Sequence, residues 1–127
     1  MTPPPYAALL GIAIEAEGDG PPVLLLPFGE PVLGRPGFVH GGAIAGLLEM
    51  AAIAALDQAL QAEGGGRIKP ITVTVDYMRG GRERPTRGVG TVTRLGTRIA
   101  NVEAVAWQDD RARPIAAARL NYLIERP

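Results

Sequence analysis

The sequence contains no cysteine, which excludes a disulfide scaffold, a cysteine nucleophile and any thiolate metal site. A single histidine, His40, excludes a multi-histidine zinc site within one chain. Charge of one sign is missing as well: thirteen Lys and Arg balance thirteen Asp and Glu, with no dense basic run. Nucleic-acid binders usually carry a one-signed patch, so no nucleic-acid partner is expected. There is no long hydrophobic run. The longest apolar stretch, Phe38 to Leu56, is interrupted by His40 and Glu49 and is rich in Gly and Ala. A membrane span would be an unbroken run of about twenty strongly apolar residues. The start, Met1 to Leu10, carries no basic segment and soon meets Glu15 and Glu17, unlike a secretory signal. The expectation is a cytoplasmic protein with no membrane partner.

What remains is an ordinary globular composition, 46% hydrophobic and 20% charged. A length of 127 residues suits one domain spanning 1–127. A domain of this size is modestly stable alone and gains from oligomerisation.

Leu9 to Glu17 and Val23 to Phe28 read as two short strands separated by a Gly/Pro turn. Pro31, Gly34, Pro36 and Gly37 mark a loop. From Gly42 to about Glu63 good helix formers dominate, no proline intervenes, and Gly64, Gly65 and Gly66 supply a stop. Ile71, Val73, Val75 and Tyr77 then alternate with polar or outward positions, as in a strand. Further strands are expected at Gly88 to Leu95, Arg98 to Trp107 and Ile115 to Ile124, joined by short turns in an antiparallel meander. A hairpin of two strands, one long helix and a four-strand meander give an α+β fold with the sheet wrapped on the helix.

Between Gly41 and Leu56 the only polar side chain is Glu49, so the helix is expected to be buried nearly all round. A carboxylate in apolar surroundings is costly unless paired, and no Lys or Arg lies within two turns of it. Facing solvent or an interface, Glu49 is a surface accident; facing a cleft, it is a candidate base or nucleophile. His40-Gly41-Gly42 leads into the same helix. Glycines at a helix N-terminus offer backbone N–H groups that favour developing negative charge, as an oxyanion site requires. His40 reads as a capping residue in the simplest case. Glu49 falls seven residues after Gly42, on nearly the same helix face but about 10 Å away. That gap is long for one chain and closes if two helices share a site across a dimer.

The string from Pro36 to Ala51 resembles the signature of hotdog-fold thioesterases, the 4-hydroxybenzoyl-CoA thioesterases of the Arthrobacter type and the phenylacetic-acid-pathway thioesterases in particular. The shared features are His40, Gly41 and Gly42 opening the helix and an acidic residue, Glu49, nine positions after the histidine. The strand Ile71 to Met78 followed by Arg79-Gly80 is also similar. The resemblance implies a hotdog fold, a curved antiparallel sheet around one long central helix, assembled as a homodimer and often a tetramer of two dimers. It implies a small-molecule acyl thioester as partner, carried by coenzyme A or a carrier protein, with coenzyme A entering as part of the substrate and no metal or other cofactor. Glu49 would act as nucleophile or general base and the Gly41 N–H would polarise the carbonyl. His40 and Gly42 would contact substrate, and Arg79, with Gly96, Thr97 and Arg98, would meet the nucleotide end.

Two positions depart from the pattern. Gly34 stands where relatives place Asn or Gln, and Ile53 where the 4-hydroxybenzoyl branch has threonine. Both make the site more apolar. They favour the alternative of a non-catalytic acyl-CoA or fatty-acyl binding module on the same scaffold. A hydratase on this fold uses a different Asp/His pair and fits less well.

Overall fold

The computed structural model describes residues 3–16 and 18–127, with no side-chain detail for residue 16. The chain runs through α1 (Pro5–Leu10), β1 (Ala13–Ala16), β2 (Val23–Leu26), a 3₁₀ turn (Glu30–Val32), α2 (Gly41–Gln61), β3 (Arg67–Tyr77), β4 (Thr86–Leu95), β5 (Ile99–Trp107) and β6 (Ala116–Glu125). The expected first strand is therefore too long: Leu9 and Leu10 belong to α1. Pro5 pre-sets the first helical φ, and Gly11, at φ 73, closes the turn in the left-handed conformation, donating to Ala7 and Ala8. Glu17 lies outside the described residues.

The six strands form one antiparallel sheet in the order β1-β2-β4-β5-β6-β3, which curves around α2. This corrects the simple meander. β4, β5 and β6 follow one another, but β3 crosses to the far edge and pairs with β6, Val73 opposite Leu120 and Tyr77 opposite Ala116. A reason lies in Pro70. It has no N–H to give a second neighbour, which suits an edge strand, and the register shifts between Pro70 and Thr72. β3 thus keeps one edge unpaired.

α2 lies directly on the sheet. Gly88 faces Leu47, and a Cβ placed at Gly90 would fall 2.6 Å from the Ala51 carbonyl oxygen and 2.9 Å from the Ala52 Cα. The small residues of the helix permit this approach. Leu47, Leu48, Ala51, Ala52 and Leu56 are wholly buried. The helix is long and apolar enough by composition to cross a membrane, yet 67% of its most apolar window is buried inside the fold, as in a core helix.

Burial is not complete all round. Gly41, Ala45, Glu49, Ile53 and Asp57, spaced by four, form a half-exposed stripe. Beside it runs the helix-facing side of β3, where Val73 and Tyr77 remain 40% and 52% exposed. Helix stripe and strand together make a partly uncovered apolar trough with Glu49 in it.

Candidate active site

The head of this trough is the start of α2, and the preceding loop is pinned to put it there. Leu33 bridges Val39, the His40 N–H donates to the Val32 carbonyl at 2.8 Å and the Val39 N–H donates to Gly81 at 2.8 Å. His40 is left as the N-cap, its Nδ1 accepting from the Gly42 N–H at 2.9 Å. The N–H groups of Ala43 and Ile44 both donate to the His40 carbonyl. In this first turn the Gly41 N–H is the one left without a partner among the described residues. A cavity of about 470 Å³ opens against it, lined by His40, Gly41, Ile44, Tyr77 and Met78 among others.

These contacts sort the expected residues. Gly41 lines the cavity and keeps a free N–H among the described residues. Gly42, expected to offer a second one, does not: the His40 side chain occupies its N–H, because a capping imidazole reaches the residue two positions on. Glu49 lies on the same stripe as Gly41, but eight residues of helix put it about 12 Å along the axis. It does not line the cavity, and among the described residues its carboxylate forms no ion pair. One chain therefore holds donor and carboxylate apart.

Arg79 lies between that cavity and a second cleft of about 260 Å³ that also takes in Arg82, Gln108, Asp109, Asp110 and Arg113. Gly96, Thr97 and Arg98 are elsewhere. Their turn joins β4 to β5 at the end of the sheet near the helix C-terminus, where Arg126 donates to the Thr97 and Gly96 carbonyls at 3.1 and 2.8 Å. In one protomer these three are not brought together with Gly41 and Arg79.

Two features were not legible as site residues. Tyr77 reads as core or interface from its place in the alternation. Its ring covers Gly41, and its hydroxyl donates to the Gly41 carbonyl at 2.8 Å. Phe38 sits against Gly80 with the Arg35 and Arg82 guanidinium groups 4.3 and 4.5 Å from its ring centre, at the mouth of the cavity. No periodicity signals that stack, since its members come from two loops. The departure at Gly34 also has a physical reason. A Cβ there would lie 2.9 Å from the His40 Cα, so the tight Leu33–Val39 bridge leaves no room for an amide side chain.

The family model of the thioesterase superfamily matches residues 36–115, a span that holds the N-cap, the free Gly41 donor, Glu49 and Arg79. The chain belongs to the thioesterase superfamily. Solved structures agree in fold. A protein from Chromobacterium violaceum is 34% identical over 94% of this chain and 82% of its own, with a TM-score of 0.74. A thioesterase from Haemophilus influenzae superposes with a TM-score of 0.82 at 20% identity, covering 95% of this chain and 82% of that one. A Bacillus halodurans protein crystallised with CoA gives 0.78 at 23% identity, over 96% and 79% of the two chains. No curated protein matches the sequence. Membership of this superfamily supports thioester hydrolysis as the general activity.

Proposed function

We propose that this thioesterase hydrolyses an acyl-CoA thioester at a site completed by a second copy of the chain. The observation that carries the reading is the free Gly41 N–H at the head of a cavity, set on the same open helix stripe as an unpaired carboxylate. The thioester carbonyl oxygen would accept from the Gly41 N–H, reinforced by the helix dipole. Glu49 from the partner subunit's helix would then act in one of two ways. As a base it takes a proton from water while the oxygen adds to the carbonyl, the C–S bond breaks and the thiolate is protonated. As a nucleophile it forms a mixed anhydride with loss of thiolate, and water then hydrolyses that anhydride. Both routes need only a carboxylate, a donor and water, with no metal or redox group.

The second copy is argued from the uncovered trough and the unpaired edge. β3 has one unpaired edge among the described residues and carries Ile71, Val73 and Tyr77, 55%, 40% and 52% exposed. A free strand edge carrying apolar side chains is a template for pairing with another chain. Joining two copies through β3 would set their helices side by side and bring one Gly41 toward the other Glu49. Arg79, Arg82 and Arg113 border the second cleft and suit the phosphates of a nucleotide carrier. Ile53, on the Glu49 stripe, favours an apolar acyl group over a hydroxylated one.

The decisive experiment uses two variants. Glu49→Gln and Gly41→Val should each lower turnover of the best acyl-CoA in a chain-length panel by about 10²-fold or more. Co-expressed in equal amounts, they should form mixed dimers with one intact site, recovering about a quarter of wild-type activity. Glu49→Gln hydrolysing at the wild-type rate would remove Glu49 from the chemistry. Two inactive variants that stay inactive when mixed would confine the site to one chain. A wild-type protein that binds the panel without turnover is a binding module.

A further inference from the structure

The interior beside α2 contains a polar atom that the packing leaves without a partner. Tyr122 of β6 is wholly buried, and among the described residues its hydroxyl is the buried side-chain polar atom that makes no hydrogen bond. Neighbouring strands cannot serve it. The register sets Tyr122 between Ala100 of β5 and Pro70 of β3, one with a methyl side chain and the other with no N–H. Among the described residues Thr86 is the other buried side chain with a hydroxyl. Phenylalanine would fill this space without the cost of desolvating an unpaired hydroxyl, so the oxygen calls for a partner.

The sequence of the core supplies a candidate. Burial pushes the Tyr122 phenol well above the usual tyrosine range, and the negative charge of Glu49 pushes it further the same way. β6 packs against α2, and Glu49 is the charged side chain of that helix between Gly41 and Leu56. Its backbone sits at the border between the sealed face of α2 and the open stripe, half-exposed and unpaired among the described residues. A carboxylate that has to meet a carbonyl carbon in one orientation gains from a donor that selects one rotamer.

We propose that Tyr122 is a positioning residue, its buried hydroxyl donating to the Glu49 carboxylate in the working enzyme and holding it toward the substrate. The inference rests on the reading of Glu49 given above. It assigns a role on the last strand, remote in sequence from the helix motif, and explains why a polar atom is kept in an apolar core. The contact orients the reacting carboxylate and does not touch the substrate, so its loss should be felt in rate rather than in substrate affinity.

Tyr122→Phe removes the oxygen and keeps the ring. The expected result is a kcat lowered about tenfold, with KM unchanged and the protein still folded. A second measurement does not depend on activity. The infrared carboxylate band of Glu49, identified as the band lost in Glu49→Gln, should shift in Tyr122→Phe. An unchanged kcat together with an unmoved band overturns the proposal. So does a Tyr122→Phe protein that fails to fold, since the hydroxyl then has a structural partner. If Glu49→Gln keeps wild-type turnover, the catalytic reading fails, and the infrared shift still decides whether the two side chains meet.

Discussion

On its sheet side α2 meets β4 with almost nothing between the backbones, whereas on its other side the same helix presents a half-exposed row beginning at Gly41 and passing through Glu49. Both faces are built from small residues. Toward the sheet, Ala51 and Ala52 let Gly90 come within what would be a 2.6 Å collision for any side chain. Toward the trough, Gly41 meets the exposed ring of Tyr77 at ordinary contact distance and Ala45 stays half-exposed. Small side chains on a helix thus serve close packing where a partner element is present, and a site where it is not. The difference predicts opposite responses to the same kind of change.

The largest effect should come from the sheet side. Gly90→Val places atoms on the Ala51 and Ala52 backbone, which cannot yield without moving the helix off β4. Overpacking of this kind destabilises by about 3 kcal/mol or prevents folding. Gly41 lacks that constraint, since a Cβ there would lie 3.6 Å from the Tyr77 ring, an ordinary contact. Chemical denaturation of Gly90→Val beside Gly41→Val checks the contrast. Equal losses of stability would erase the distinction between the faces.

Much of this asymmetry is present in the sequence, and some of it is not. The helix bounds, the four later strands and the placement of His40 as a cap follow from composition, alternation and the Gly64–Gly66 stop, because these are local properties. The α1 helix was hidden because Leu9 and Leu10 are equally at home in a strand, and only the left-handed Gly11 decides. The strand order was hidden because alternation says which face a residue takes and nothing about which neighbour it pairs with. Gly41 and Gly42 look alike in the motif. They separate only when the imidazole is seen to claim one N–H. Tyr122 looks like any inward residue of β6 until its oxygen is found unpaired.

A smaller effect separates the faces by pH. Tyr122, sealed on the sheet side, has its phenol raised above the ordinary range by burial and by the Glu49 charge. The sign follows from proton binding. An unfolded tyrosine ionises near pH 10, while the folded one holds its proton to higher pH, so the native state binds more protons above that point. Its stabilising contribution is whole below about pH 10 and is lost as pH rises, at about 1.4 kcal/mol per pH unit. Denaturant titrations of wild type and Tyr122→Phe between about pH 9 and 11 should diverge, the wild type losing stability faster. Parallel curves would mean that the phenol ionises freely in the fold and that this side of the helix is not sealed.

The smallest effect is expected where the open face begins. Tyr77 is 52% exposed and donates to the Gly41 carbonyl at 2.8 Å. Removing the hydroxyl with Tyr77→Phe leaves that carbonyl within reach of water, which replaces most of the lost bond. Stability should therefore change by no more than about 0.5 kcal/mol. The ring still covers Gly41, and the Gly42 N–H in the same peptide is still held by His40, so the neighbouring Gly41 donor keeps its direction. Turnover should fall about twofold, the loss expected when one of two restraints on a peptide is removed from solvent-exposed surroundings. Steady-state kinetics with the same thioester measure this directly. A tenfold or greater fall in kcat at unchanged stability would place the Tyr77 hydroxyl on the substrate itself, and the open face would then carry a third reacting contact beside Gly41 and Glu49.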